Sequence, residues 1–140
     1  MVANVKDKAV IVGVGNTEFS KDSGVSELNL AVQACKRALD DAGLKPSDVD
    51  GMATFTMDTN DEIEVARALG CGGLNFWGRS HYGGGAATGT LQQAVMAIAT
   101  GMAEVVICFR ALNGRSGHRF SAGVSEITRG ARGSATSMAT

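Results

Sequence analysis

Strand-like and helix-like runs alternate along this chain, and the alternation limits its possible folds more than any other feature. Short β-branched or apolar runs predict strands at residues 8–14, 49–56, 74–77 and 104–112. Between them, helices are predicted at residues 26–42, 61–69 and 86–100. Such an order is typical of βαβ units with right-handed crossovers around a mostly parallel sheet. The fold class indicated is α/β.

The residues at the ends of the helical runs support these predictions. Ser26 and Asn60 stand where helix N-caps are expected, and Gly43 and Gly70 stand where two helices should end. The helix at residues 86–100 is apolar around its whole circumference, which predicts burial on most sides.

Composition excludes several classes of protein. The 140 residues carry a formal net charge of −1, which argues against a general nucleic-acid binder. No apolar run approaches the length of a membrane span, and no leader-like segment opens the chain. The three cysteines at positions 35, 71 and 108 are far apart and form no CxxC pair, so they indicate buried thiols rather than disulfides or zinc ligands. Together these features predict a cytoplasmic protein that binds no metal.

The last part of the chain differs in composition from the rest. Beyond Glu104 it contains five Arg and one Glu, and beyond Asn113 it is rich in Gly, Ser, Ala and Thr. A positive segment could contact a phosphate-bearing ligand, although a solvated segment explains the composition more simply. We expect residues 121–140 to form a loop or a truncated continuation of the domain before them.

A dinucleotide-binding turn is excluded at the first predicted strand. Gly13 and Gly15 provide the first two glycines of a GxGxxG fingerprint, but the third position is Glu18. A carboxylate there would repel the pyrophosphate that the fingerprint binds. A strand that turns sharply accounts for these glycines instead.

The most informative segment for function runs from residue 79 to residue 89. Three consecutive glycines precede a helix, so a ligand could approach the N–H groups and the positive dipole end of that helix. Ser80, Tyr82 and Thr88 are the hydroxyl candidates for a nucleophile, and His81 could act as a general acid or base. The alternative is a close-packed turn at a subunit contact, in which His81 has a structural role.

Four motifs are specific enough to suggest a family. They are VGVGNTEFSK at residues 12–21, DAGLKPSDVDG at residues 41–51, HYGGGAATG at residues 81–89 and ALNGRSG at residues 111–117. Together they resemble the N-terminal part of the thiolase superfamily, over residues 1 to about 120. Within it the chain is most similar to the lipid-transfer proteins, or sterol-carrier-type thiolase-like proteins, of steroid degradation such as cholesterol catabolism.

This resemblance implies a layered αβαβα fold built from two similar halves. The chain would form most of the first half, with residues 1–120 as an incomplete N-terminal thiolase-like domain. Thiolases place a nucleophilic cysteine in a C-x-[ST]-G setting where the buried helix begins. Here that setting is occupied by Ala86, Ala87, Thr88 and Gly89, and no cysteine lies between Cys71 and Cys108. An acyl-enzyme route is therefore not expected.

The steroid branch implies a different reaction, a retro-aldol cleavage of a CoA thioester that carries a tertiary hydroxyl. Such an enzyme is a carbon–carbon lyase that releases a short acyl-CoA, such as propionyl-CoA, with no bound cofactor. The tyrosines implicated in the family lie in the later part of the chain. In this chain, the backbone groups of Tyr82, Gly83, Gly84 and Gly85 are expected to face the substrate. The side chains of His81, Tyr82 and Thr88 are weaker candidates for catalysis.

The resemblance also implies partners and leaves two alternatives open. A DUF35-type partner, with an OB-fold and a zinc ribbon, is expected to help form the active site. A homodimer is expected through the third strand and its flanking helix, where Leu74, Phe76 and Trp77 form an apolar edge. One alternative is thiolase-type acetyl transfer by Claisen chemistry. The other is a non-catalytic lipid-binding or structural subunit of a thiolase–DUF35 complex.

Overall fold

Three α-helices and three strands alternate along the described part of the chain. The computed structural model describes residues 4–55, 60–81 and 85–114. Its elements are α1 (Glu27–Ala42), β1 (Gly51–Phe55), α2 (Glu62–Leu69), β2 (Phe76–Ser80), α3 (Ala86–Ala99) and β3 (Val106–Phe109), with a 3-10 turn at Pro46–Asp48. The three strands form a parallel sheet in the order β2-β1-β3. The predicted α/β class is confirmed.

The helices cover both faces of the sheet. Met52 of β1 and Ile107 of β3 belong to the same buried cluster as Ala31 and Cys35 of α1, so α1 and α2 pack on this face. On the other face, the Cys108 thiol of β3 lies 3.5 Å from a carbonyl oxygen of α3. Because successive strand residues point to opposite faces, each strand supplies side chains to both layers. The described residues thus form three layers, with the sheet in the middle.

The ends of α1 follow the predicted cap residues. The hydroxyl of Ser26 accepts the backbone N–H of Asn29 at 3.2 Å, as an N-cap should. Gly43 ends the helix with φ of 68°, a left-handed conformation that residues with a Cβ seldom adopt. Both predictions are confirmed.

The start of α2 differs from the prediction by one residue. Asp61, and not Asn60, occupies the N-cap, and its backbone N–H donates to the carboxylate of Glu64 at 3.4 Å. A carboxylate three residues into the helix favours this arrangement because it satisfies an N–H group that the helix leaves free. Asn60 is instead buried, with 7% of its surface exposed, and its side-chain nitrogen finds no hydrogen-bond partner among the described residues.

The second and third strands have bounds other than those predicted. The N–H groups of Asn75 and Phe76 donate to the carbonyl oxygen of Asp50, so pairing with β1 begins at Phe76 and not at residue 74. The strand predicted at residues 104–112 is shorter at both ends, since β3 ends at Phe109 and begins only at Val106. Before its start, the N–H groups of Glu104 and Val105 donate to the carboxylate of Asp50 instead of to a neighbouring strand.

The prediction of a first strand at residues 8–14 is wrong for the structure described. This extended segment pairs with none of the three strands, and Val10 and Ile11 are 77% and 72% exposed. It lies along α1, where a Cβ on Gly13 would collide with the carbonyl oxygen of Ala38. The N–H of Val14 donates to the carboxylate of Asp41 at 2.9 Å. Its β-branched residues fit a strand, but a strand also requires a neighbouring backbone.

The prediction that α3 is buried on most sides is also wrong within the described residues. Thr90, Ala94 and Ala97 are buried, whereas Leu91 and Met96 are 43% and 47% exposed. One face of this apolar helix packs on the sheet, and no element of the described residues covers the opposite face. Among the described residues, no helix is both long enough and apolar enough to cross a membrane.

Candidate active site at the carboxyl edge of the sheet

The carboxyl ends of the strands meet at one edge of the sheet, where both α2 and α3 begin. Phe55 at the end of β1 is paired in register with Ser80 at the end of β2, and Thr54 is paired with Phe109 at the end of β3. Open parallel α/β sheets bind their ligands outside this edge. The segment that sequence analysis selected for function leaves β2 here.

The N-terminus of α3 lies at this edge of the sheet. Gly85 occupies the N-cap and provides no side-chain hydrogen bond to the helix. Its carbonyl oxygen accepts the N–H groups of Thr88 at 3.1 Å and Gly89 at 3.3 Å. The first N–H groups of a helix have no acceptor within the helix, and the dipole is positive at this end. A negatively charged oxygen would therefore be stabilised here.

The structure describes only some of the predicted site residues. Thr88 is exposed in the first turn of α3, and its hydroxyl donates to the carbonyl oxygen of Gly85 at 2.6 Å. His81 is exposed and directly follows β2, so it lies at the same edge of the sheet. Tyr82, Gly83 and Gly84 lie outside the described residues, as do the predicted boundary near residue 120 and the segment 121–140. The roles predicted for the side chains of His81, Tyr82 and Thr88, and for the backbone of residues 82–85, stay predictions.

Ser80 packs beneath the first turn of α3. Its side chain is buried, with 6% of its surface exposed. A Cβ added to Gly89 would lie 3.0 Å from the Ser80 hydroxyl oxygen, so the two elements approach closely. Strand β2 and helix α3 therefore pack closely at Ser80, and its burial argues against a role as nucleophile.

An ion-pair cluster around Arg79 also lies at this edge, and sequence analysis did not assign it. Arg79 Nη2 lies 2.7 Å from Asp61 Oδ1, and Arg79 Nε lies 3.2 Å from Glu62 Oε1. Burial alone would lower the pKa of the Arg79 guanidinium, but the hydrogen bonds and charges of Glu62 and Asp61 outweigh it and raise this pKa. Asp61 and Glu62 stand at the N-terminus of α2, where negative charge is favourable. Their pairing with a strand 17 residues later has no local signal in the sequence.

A cavity of about 440 Å³ opens near the carboxyl end of β3. It is lined by residues 15–20, by Ser23, Leu30 and Ala34, and by residues 110–114. The guanidinium of Arg110, one of these lining residues, lies 5.1 Å from the centre of the Phe55 ring. Neither His81 nor Thr88 is among the described residues that line this cavity.

The cysteines of the chain are poor nucleophiles in this structure. Burial raises the pKa of Cys35 to about 12, with a further contribution from Cys71, and burial also raises the pKa values of Cys71 and Cys108. A catalytic cysteine needs the opposite shift, because its thiolate is the reactive form. In the parts of the chain that the structure describes, no three His, Cys, Asp or Glu side chains could together hold a metal ion.

Two curated proteins are similar to this chain in sequence. A 17-hydroxy-3-oxo-4-pregnene-20-carboxyl-CoA lyase of Mycobacterium tuberculosis is 59% identical over 124 residues, which cover 89% of this chain and 32% of the lyase. A steroid side-chain-cleaving aldolase of Thermomonospora curvata is 63% identical over 115 residues, which cover 82% of this chain and 29% of the aldolase. The chain thus spans about a third of the length of these relatives. No protein-family model matches it.

Three solved structures are similar to this chain in fold. An Ltp2-ChsH2(DUF35) aldolase superposes with a TM-score of 0.74 at 64% identity, over 76% of this chain and 28% of the aldolase chain. An SCP2-thiolase like protein type 1 from Mycobacterium smegmatis superposes with a TM-score of 0.60 at 29% identity, over 71% of this chain and 22% of that protein. A 3-oxoacyl-[acyl-carrier-protein] synthase III from Aquifex aeolicus, at 22% identity and a TM-score of 0.53, shares the fold over 60% of this chain and 29% of its own. The resemblance to the thiolase superfamily is confirmed: the chain has the sequence and the fold of part of a thiolase-like protein similar to the steroid side-chain-cleaving aldolases.

Proposed function

We propose that the protein to which this chain belongs is a carbon–carbon lyase that shortens the side chain of a CoA-linked steroid by a retro-aldol reaction. The observation that carries the proposal is the identity of 59–63% with two proteins named as a steroid-CoA lyase and a steroid side-chain-cleaving aldolase. Because the chain spans about a third of each relative, the proposal concerns the whole protein.

The proposed reaction breaks the bond between a hydroxyl-bearing carbon and the α-carbon of the thioester. A base takes the hydroxyl proton, the oxygen forms a ketone, and the electron pair of the broken bond becomes the thioester enolate. A proton then returns to the α-carbon, which gives a ketosteroid and a short acyl-CoA such as propionyl-CoA. Acid–base catalysis and stabilisation of the enolate oxygen suffice for this chemistry.

Two features of this chain support the proposal. The position of the thiolase cysteine is Ala86, at the start of α3, and all three cysteines elsewhere have raised pKa values. Claisen chemistry through an acyl-enzyme would need a thiolate, whereas a retro-aldol reaction would not. The N-terminus of α3, where the N-cap Gly85 makes no side-chain hydrogen bond to the helix, is suited to the negative oxygen of a thioester enolate. Backbone groups at Tyr82, Gly83, Gly84 and Gly85 would face the substrate there, with the side chains of His81, Tyr82 and Thr88 as weaker catalytic candidates.

A DUF35-type protein is proposed as the partner. The solved aldolase with 64% identity to this chain is named as an Ltp2-ChsH2(DUF35) aldolase, which suggests such a partner for the protein to which this chain belongs. A CoA thioester is proposed as the substrate, with no bound cofactor. Three free thiols fit a protein that works in the reducing cytoplasm.

A homodimer formed along β2 is proposed as the assembly. In the order β2-β1-β3, β2 is an edge strand of the described sheet. Trp77 of this strand is 60% exposed, and Leu91 and Met96 leave an uncovered apolar face on α3, which packs against the same strand. Pairing of the β2 strands of two subunits would give their outward backbone N–H and C=O groups hydrogen-bond partners. It would also cover this apolar surface.

The experiment that tests the reaction uses the protein produced from its natural reading frame, together with its DUF35 partner. It is incubated with a steroid-CoA thioester that bears a tertiary hydroxyl, and the products are identified by mass spectrometry. Equal amounts of ketosteroid and propionyl-CoA are expected. A matched substrate that lacks the hydroxyl should give no products, because no alkoxide can form.

Other outcomes would support the two alternative functions. A covalent acyl adduct on the protein, trapped with a short acyl-CoA, would indicate Claisen chemistry and contradict the proposal. Normal assembly with the partner but no turnover would indicate a structural or lipid-binding subunit. Turnover that is unchanged by Gly84→Val would remove the substrate-facing role given to residues 82–85.

A further inference from the structure

We infer that Arg79 is a positioning residue for the carboxyl edge of the sheet, acting through Asp61 and Glu62; the inference rests on the proposed function. Arg79 is the second-last residue of β2, and the two acids are the N-cap and the first residue of α2. Arg79 Nη2 lies 2.7 Å from Asp61 Oδ1 and 3.3 Å from Glu62 Oε2, while Arg79 Nε lies 3.2 Å from Glu62 Oε1. Two nitrogens of one planar guanidinium thus hold both acids.

Partial burial makes this cluster more effective than a surface ion pair. The side chain of Glu62 is 9% exposed and that of Arg79 is 33% exposed, so solvent screens their interaction only in part. Glu62 would be left as a buried charge without its partner if Arg79 were lost. The cluster therefore fixes the distance between the start of α2 and the end of β2.

Residue 79 is also held from the opposite face of the sheet. The side-chain amide of Gln93, on α3, donates to the carbonyl oxygen of Arg79 at 3.5 Å. The same Gln93 fills the space above Gly78, where an added Cβ would lie 2.6 Å from its oxygen. The strand is therefore clamped by α2 and α3 two residues before His81, where the chain leaves the sheet towards the N-terminus of α3.

This clamp bears on catalysis because oxyanion stabilisation depends on geometry. The N–H groups at the start of α3 must face the enolate oxygen at hydrogen-bond distance, and small displacements of such groups reduce the rate. Arg79 touches no reacting atom in this scheme. It acts by holding the strand end from which the chain continues into α3.

The test compares variants of the whole protein in complex with its partner. Arg79→Met removes the guanidinium and keeps a side chain of similar length. The double variant Glu62→Gln/Arg79→Met also removes the charge of Glu62, so that no buried carboxylate is left without its partner. Arg79→Lys keeps the charge but loses the two-nitrogen geometry. Arg67→Met, at an exposed arginine of α2, is the matched control.

We expect kcat to fall at least tenfold in Arg79→Met and in the double variant, measured well below their unfolding temperatures, with KM changed less than threefold. Arg79→Lys should recover part of kcat, and Arg67→Met should match the wild type. Amide hydrogen exchange at His81 and at residues 85–89 should quicken in the double variant while exchange in α1 stays unchanged. A purely stabilising role would lower the unfolding temperature without changing kcat or the local exchange.

The inference is overturned if the folded double variant keeps wild-type kcat, or if exchange at residues 81 and 85–89 does not change. A wild-type protein that cleaves no steroid-CoA thioester would refute the proposed function instead. In that case the hydrogen exchange alone decides whether Arg79 positions this edge of the sheet.

Discussion

The carboxylate of Asp50 joins the start of β1 to the backbone of Glu104, 54 residues later in the chain. Both carboxylate oxygens lie 3.0 Å from the Glu104 nitrogen, and one of them accepts the N–H of Val105 at 2.9 Å. The side-chain amide of Asn75 also donates to this carboxylate, at 3.3 Å. A single side chain therefore ties the amino ends of all three strands together.

The first prediction concerns this contact. Asp50→Ala should lower the free energy of unfolding by about 1–3 kcal/mol, because hydrogen bonds to a charged group are lost and backbone donors are left without an acceptor. The measurement is urea unfolding followed by circular dichroism. Asp40→Ala, at an exposed position of α1, is the control and should stay within about 0.5 kcal/mol of the wild type. Equal stability of the two variants would contradict the role of Asp50.

The second prediction concerns the close approach of residues 13–15 to α1. Gly13→Ala should destabilise the protein by about 1–3 kcal/mol, because the new methyl group would collide with the carbonyl oxygen of Ala38 and crowd Ala42. The measurement is thermal unfolding of Gly13→Ala and of a control variant, Gly72→Ala. Gly72→Ala, where an added Cβ meets nothing within 4 Å, should be nearly neutral. If Gly13→Ala were equally neutral, this segment would not lie against α1 in solution.

The third prediction is a pH dependence that arises from Cys35. Burial raises the pKa of its thiol from 9.0 to about 12. Between these values the unfolded chain has lost the proton and the folded chain keeps it, so the free energy of unfolding falls as pH rises from 9 towards 12. Urea unfolding at pH 8, 9 and 10 should show that the wild type loses about 1 kcal/mol more than Cys35→Ala between pH 9 and pH 10. Identical pH slopes would show that the thiol is not buried.

The fourth prediction tests the proposed dimer. Trp77→Lys places a charge on the exposed edge of β2 and should raise the Kd of the dimer at least about tenfold, because tryptophan is a frequent interface anchor. Light scattering over a dilution series gives the mass of each variant. Met102→Lys changes a residue that is 58% exposed but lies outside β2, so it should leave the mass unchanged. A dimer that survives Trp77→Lys would place the interface elsewhere.

Local patterns were sufficient to locate most elements of the fold. The apolar period of α1, its Ser26 cap and its terminal Gly43 all act within a few residues, so they can be recognised without tertiary information. The starts of β2 and β3 differ from the predicted ones because Asp50 directs the hydrogen bonds of residues distant in sequence. The segment at residues 8–14 shows the same limit, since strand propensity cannot supply a neighbouring strand.

The sequence by itself determined the α/β class, both caps of α1 and the absence of a cysteine at the start of α3, because each depends on residue type and short-range order. Only the tertiary structure decided which residues meet at the carboxyl edge of the sheet. There, strand pairing places Ser80 beside Phe55, and Arg79 reaches Asp61 and Glu62 across the sheet face. Contacts of this kind depend on packing between elements far apart in the chain, and no local pattern encodes them.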